Sequence, residues 1–212
     1  MYISRDKIRK FLDAVEWITA RNIIILSQGK YAWEGSAVIR NELYKMANAV
    51  TPEKRIKHLS NQAGNAVFAP WDSSRSDTGS QHFVHDNQLR DCLAKWLHDR
   101  KYEGMEELSI KTFADAKLGD IYFEFDNGHM TDDQLKDKLS RHYSGRGKFQ
   151  VVFFMGHRYR DPQGEKARLN KLFDIVREVL AHKPGRVFAG CYSEFIEDGI
   201  VRDCRGVELN QP

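Results

Sequence analysis

Apolar residues in the first fifty positions recur at helical spacing. Behind Ser4, whose hydroxyl suits a helix N-cap, Ile8, Phe11, Leu12, Val15 and Ile18 form one stripe, and the spacing predicts a helix. Residues 22–26 are short and β-branched and read as a strand or a helix end, closed by Ser27-Gln-Gly-Lys. A second helix is expected over about 36–49, with Val38, Leu43, Met46 and Ala47 facing inward. Thr51-Pro52-Glu53 supplies a cap and a first-turn proline for a third helix through about Leu59. Ala66-Val-Phe-Ala then reads as a strand, and 72–80, a run of Ser, Asp, Thr and Gly, as a linker or mobile loop. Residues 1–71 are therefore expected to form a helical or winged-helix-like module, with 81–212 as a separate domain.

The later pattern alternates between the two periods. Leu89, Cys92, Leu93 and Trp96 mark a helix over 86–99, and 108–113 alternates as a strand. After the turn Lys117-Leu-Gly-Asp, Ile121-Tyr-Phe-Glu-Phe-Asp is a strand, expected to pair with 108–113 as an antiparallel hairpin. Thr131 caps a helix that runs to about Tyr143. The apolar run 149–155 has the length of a buried strand, 165–181 is an amphipathic helix, and Arg186-Val-Phe-Ala-Gly-Cys is a further strand. That order predicts an α/β sandwich built around a mixed sheet.

Composition narrows the class without naming a function. At 212 residues and 41% hydrophobic content, the chain can bury one full core or two small ones. No apolar run approaches the roughly 20 residues needed to cross a bilayer, and no signal-peptide pattern follows Met1, so a cytoplasmic protein is expected. Cys92, Cys191 and Cys204 are odd in number and lack CxxC spacing, which supports neither a disulfide framework nor a cysteine zinc site. The formal charge of +3 is compatible with a polyanionic partner. Basic residues gather at 5–10, 54–58, 141–148 and 157–160, and acids at 103–107 and 132–137. Each basic cluster also reads as an ordinary solvated face.

The candidate chemistry lies in the acids around the predicted central strands. Glu124 and Asp126 alternate with Phe123 and Phe125, so both carboxylates point to one face, and Asp115 lies close by in sequence. Three carboxylates converging from neighbouring strands would make an oxygen-rich site for Mg²⁺ or Mn²⁺, which can polarise a phosphodiester and activate water. Alternation alone fits equally well a solvated face on which these acids pair with Lys or Arg.

Several pieces together resemble the plasmid replication-relaxation family: Ala114-Asp115, a hairpin, Phe123-Glu-Phe-Asp-Asn-Gly, a capped helix carrying Lys136 and Lys138, and the apolar strand 149–155. Upstream, His82-Phe-Val-His-Asp-Asn-Gln-Leu resembles the histidine-led helix start of those proteins. The resemblance spans about 81–195. It implies an α+β chain with a restriction-endonuclease-like, PD-(D/E)XK mixed sheet flanked by helices, behind a winged helix, in proteins of plasmids and other mobile elements. It further implies DNA as partner, alongside other replication or mobilisation proteins, with Asp115 and Glu124 as metal ligands and Asp126 as a third acid. The family's motif would place a lysine two residues after Glu124, where Asp126 stands, and Ala114 replaces its proline. Lys136 or Lys138, a turn or two into the following helix, can reach the same space, and Lys138 is the expected catalytic lysine.

Arg141, Arg146, Lys148, Arg158 and Arg160 are the candidate phosphate contacts, the last two just past the apolar strand, where the ligand crevice of a sheet opens. Other motifs carry less. His82 and His85 lack an HExxH context, Gly145-Arg-Gly-Lys is too short for a phosphate-cradling loop, and Tyr143 and Tyr159 lack the metal triad of a strand-transferring nucleophile. Two functions remain open: a metal-dependent DNA endonuclease, and a catalytically silent DNA-binding or adaptor protein of the same shape.

Overall fold

Helix α1, Arg5–Val15, forms as its sequence dictates: the Lys7 N–H donates to Ser4 Oγ at 3.2 Å, and Ile8, Phe11, Leu12 and Val15 are buried. The computed structural model describes residues 3–62, 65–74, 82–110, 114–143, 150–156, 161–180 and 186–204. Within them the protein is α+β, and no helix is long and apolar enough to cross a membrane. The chain divides into two compact units, Met1–Ile110 and Lys111–Pro212.

In the first unit α1 is followed by β1 (Ile18–Thr19), α2 (Ala20–Gln28), α3 (Ser36–Ala47), β2 (Ile56–Gln62), β3 (Asn65–Pro70), α4 (Phe83–Asp99) and the short β4 (Leu108–Ile110). Strands β1, β3 and β2 make an antiparallel sheet in that order, with Ile18 opposite Phe68 and Lys57 opposite Ala69. Three elements differ from the sequence pattern. Residues 22–26 lie inside helix α2 and are buried on every side, which is why no period showed. In α3 the inward residue is Ile39, while Val38 is exposed. The proline at 52 opens only a single 3₁₀ turn, Pro52–Lys54, and the residues beyond it extend to pair with β3.

The unit boundary lies well after the polar stretch 72–80, of which 75–80 fall outside the described residues. Helix α4 belongs to the first unit because a buried polar network ties it to α2. Asn22 Nδ2 donates to Asp91 Oδ1 and Arg21 Nε to Asp91 Oδ2, both at 2.7 Å. Arg90, also buried, donates to the Trp17 carbonyl at 2.9 Å and lies 3.8 Å over the Trp17 ring. Buried polar groups demand such partners, so these contacts fix the helix in one position.

The second unit contains β5 (Ala116–Leu118), β6 (Ile121–Asp126), α5 (Asp132–Tyr143), β7 (Gln150–Met155), α6 (Pro162–Leu180), β8 (Arg186–Cys191), α7 (Tyr192–Asp198) and β9 (Arg202–Asp203). Its strands run in the order β5-β6-β7-β8-β9 as a mixed sheet, with β6-β7 and β7-β8 parallel and the outer pairs antiparallel. The hairpin partner of β6 is therefore β5 and not the segment 108–113, of which 111–113 lie outside the described residues. The physical reason is the two-residue turn Gly119-Asp120, with Gly119 at φ 55°, which brings Leu118 opposite Ile121.

Side chains alternate across this sheet. Tyr122, Val151, Phe153, Met155, Val187 and Ala189 share a core with Leu135 and Leu139 of α5 and Leu169 and Leu172 of α6. On the other face Phe154 packs 4.6 Å from Phe195 of α7, and Phe125 meets Tyr192 edge-on. Parallel neighbours require crossover connections, and α5 and α6 supply them on one face.

Candidate active site

Glu124 and Asp126 share the sheet face of Tyr122, as alternation requires, and each is only 1% exposed. Carboxylates so placed need compensation, and each finds it in a different helix. Lys138 of α5 lies one turn after Leu135 and so projects from the face of that helix that packs on the sheet. Its Nζ donates to Glu124 Oε2 and lies 3.5 Å from Asp115 Oδ2. Asp115, just ahead of β5, also accepts the Phe125 N–H at 2.8 Å, so the hairpin itself holds this carboxylate beside Glu124.

Asp115, Glu124 and Lys138 thus converge at a partly open spot. Lys138 retains 22% and Asp115 23% of side-chain exposure, against 2% for Glu124. Burial pulls the Lys138 ammonium down, but the Asp115 and Glu124 carboxylates outweigh it and hold its pKa above the ordinary lysine value. Lys138 is therefore a cation at neutral pH and a hydrogen-bond donor, not a base. Lys136, the other lysine of α5 considered from sequence, pairs instead with Glu178 at 2.7 Å.

Asp126 does not join this cluster. Its Oδ2 receives Arg168 Nε of α6 at 2.6 Å, and its Oδ1 receives the N–H groups of Gly128 at 2.9 Å and Met130 at 3.3 Å. Arg168 also donates to the Met130 carbonyl. Asp126 and Arg168 together clamp the connection between β6 and α5. That connection then enters its helix through a reciprocal cap, in which Thr131 N–H donates to Gln134 Oε1 and Gln134 N–H to Thr131 Oγ1. Arg168 is the member of this arrangement that sequence reasoning missed; nothing sets it apart from any other basic residue of an amphipathic helix.

Among the described residues no group of three or more His, Cys, Asp or Glu side chains is arranged to hold a metal ion. The donors at hand are two carboxylates, a set that suits Mg²⁺ or Mn²⁺ when waters and a substrate phosphate complete the shell. Because Lys138 already bridges both, a cation between Asp115 and Glu124 fits only when the ammonium swings off at least one of them. Of the expected phosphate contacts, the side chain of Arg141 and all of Arg146, Lys148, Arg158 and Arg160 lie outside the described residues. His85 sits 3.1 Å from Asp86 through Nδ1, a local contact at the start of α4. No family model, curated protein or solved structure matches the chain.

Proposed function

We propose that the protein processes DNA for a mobile element, in plasmid replication, relaxation or mobilisation, and that its second unit hydrolyses phosphodiesters with Mg²⁺ or Mn²⁺. The observation that carries this reading is the meeting of Asp115, Glu124 and Lys138 from a strand start, a central strand and the following helix. Supporting it, the second unit runs strand, strand, helix, strand, helix, strand from β5 through β8, a mixed sheet with helices beside it. The order α1, β1, α2, α3, β2, β3, ending in a hairpin, is that of a winged helix. The link to mobile elements rests on the resemblance to the plasmid replication-relaxation family.

A divalent cation held by Asp115 and Glu124 would polarise the scissile phosphate and lower the pKa of its bound water. Asp115 is preorganised for such a role, because the Phe125 N–H fixes its carboxylate whatever Lys138 does. Lys138, released from Glu124, carries its positive charge and its donors toward the attacking water or the phosphate oxygens. A lysine on a helix then supplies what the motif lysine supplies from the strand.

A second reading is favoured by one observation: Lys138 pairs with both acids without any metal. On that reading the site is a structural ion cluster and the protein a DNA-binding adaptor. Plasmid nicking with and without Mn²⁺, together with calorimetric titration of Mn²⁺, separates the two. Cleavage is expected only with metal, is lost in Asp115→Ala and Glu124→Ala, and in Lys138→Ala slows while metal binding persists. Should neither cleavage nor metal binding occur, while folded Glu124→Ala binds DNA as the parent does, the adaptor reading replaces this one.

A further inference from the structure

A cleft of about 300 Å³ opens in the first unit between α1, the 3₁₀ turn Pro52–Lys54 and the residues that follow β3. Buried Leu12 and Ile56 contribute an apolar wall, and Trp71 lines it while keeping 49% of its surface exposed. Three carboxylates join them: Asp13 of α1, Glu53 of the turn and Asp72 just beyond β3. Ligand pockets begin at about 300 Å³, so this one suits a single side chain better than a cofactor.

The charges of the cleft are unevenly matched. Arg9 donates through Nη1 to the Glu53 carbonyl, and Arg55 through Nε to the Ala49 carbonyl at 2.8 Å. The Arg55 guanidinium also lies over the Trp71 ring, 4.6 Å from its centroid. Asp13 has Asp72 for a neighbour. Burial and that second carboxylate raise the pKa of Asp13 above the ordinary aspartate value, and Arg9 offsets only part of the effect. Two acids held close together favour a positive charge beside them, and the face or edge of an indole that already receives one guanidinium suits another. An anion would meet Asp13 and Asp72 with the wrong sign.

The surroundings of the cleft bear on what carries that charge. Pro52 and Trp71 are exposed, and so is Val50, next in the chain to the carbonyl that holds Arg55. A free metal ion or a polyamine would leave this apolar rim in water, whereas a polypeptide would cover it. We infer that the cleft docks a basic side chain of a partner protein, arginine before lysine, with its charge between Asp13 and Asp72 and the partner's neighbouring apolar residues on Trp71, Pro52 and Val50. Arginine is preferred because its planar fork can serve two carboxylates at once. The inference goes beyond the DNA reading and does not depend on it.

The test is selection from a displayed library of random peptides by the full chain, followed by affinity measurement with synthetic copies of the enriched peptides. They are expected to share an arginine or lysine beside an apolar residue. Replacing that residue by a neutral counterpart, citrulline for arginine or norleucine for lysine, should weaken binding by roughly 10- to 150-fold. Asp13→Asn and Asp72→Asn should each weaken it in the same range, and Trp71→Ala should also reduce it. Because Asp13→Asn removes a repulsion, it should leave the fold at least as stable as the parent, so its loss of binding is not a loss of structure. Asp6→Asn, on α1 but outside the cleft, should change nothing. Enrichment of no peptide, enrichment of peptides without a basic residue, or affinities unchanged in the double variant Asp13→Asn with Asp72→Asn overturns the inference. Displacement of the peptide by spermidine at equal or lower concentration would assign the cleft to a free polyamine, and that too overturns the protein partner.

Discussion

Glu124 and Asp126 stand two residues apart on one face of β6, yet they answer to different helices. Asp126 is satisfied by Arg168 and two backbone N–H groups, which makes it a clamp. Removing one partner of a buried ion pair leaves the other uncompensated, so Asp126→Ala is expected to cost on the order of 3 kcal/mol of stability. Urea unfolding measures that loss. Metal-dependent cleavage by the protein that remains folded should persist, and cleavage abolished in a folded Asp126→Ala would return Asp126 to the catalytic group. The shared face of the two acids was legible from alternation alone, and Lys138 from its place on the next helix. The Asp126–Arg168 pair was not, because its partners are 42 residues apart and meet only once α6 crosses the sheet.

At the scale of elements, periodicity identified those with one buried face and failed where burial was complete or pairing was remote. Helices α1 and α6 were legible from their stripes, and α5 from the cap at Thr131. Strand β2 was not, since buried Ile56 and Leu59 lie three residues apart as they would in a helix, and only pairing with β3 makes the segment extended. The end of β7 shows how tightly elements fit. Gly156 donates its N–H to the Asp126 carbonyl at 2.7 Å, and a Cβ there would stand 2.6 Å from Phe125 Cζ. Phe125 is wholly buried against α7, so its ring has little room to yield. Gly156→Ala is therefore expected to destabilise by about 1–3 kcal/mol through overpacking. An unchanged Tm would show that the strand end relaxes.

For the whole molecule, the polar stretch 72–80 does not coincide with the division between the two compact units, which falls after Ile110. Boundaries follow buried contacts, and the Asn22–Asp91 link holds α4 with the helices before it. The three cysteines, whose number and spacing support no disulfide framework, are buried and not bridged to one another. Burial, with Glu194 and Glu165 nearby, pushes the Cys191 thiol up to about 12, and burial also raises Cys204. The thiolate is the reactive species, so the native protein should resist a disulfide reagent at neutral pH. All three thiols should react in guanidinium. Prompt labelling of the native protein would mean that these cores open readily.

The parallel pairing of β6 with β7 also sets an order in time. A hairpin closes over two residues, whereas β7 reaches β6 only after α5 and its connections have been laid across the sheet. The β5–β6 turn is thus expected to form first, and it already contains the contact from the Phe125 N–H to Asp115. Asp115 and Glu124 are then assembled before the ammonium of Lys138 arrives to quench their repulsion. Until α5 docks, the hairpin bears that repulsion without the compensation that Lys138 later supplies.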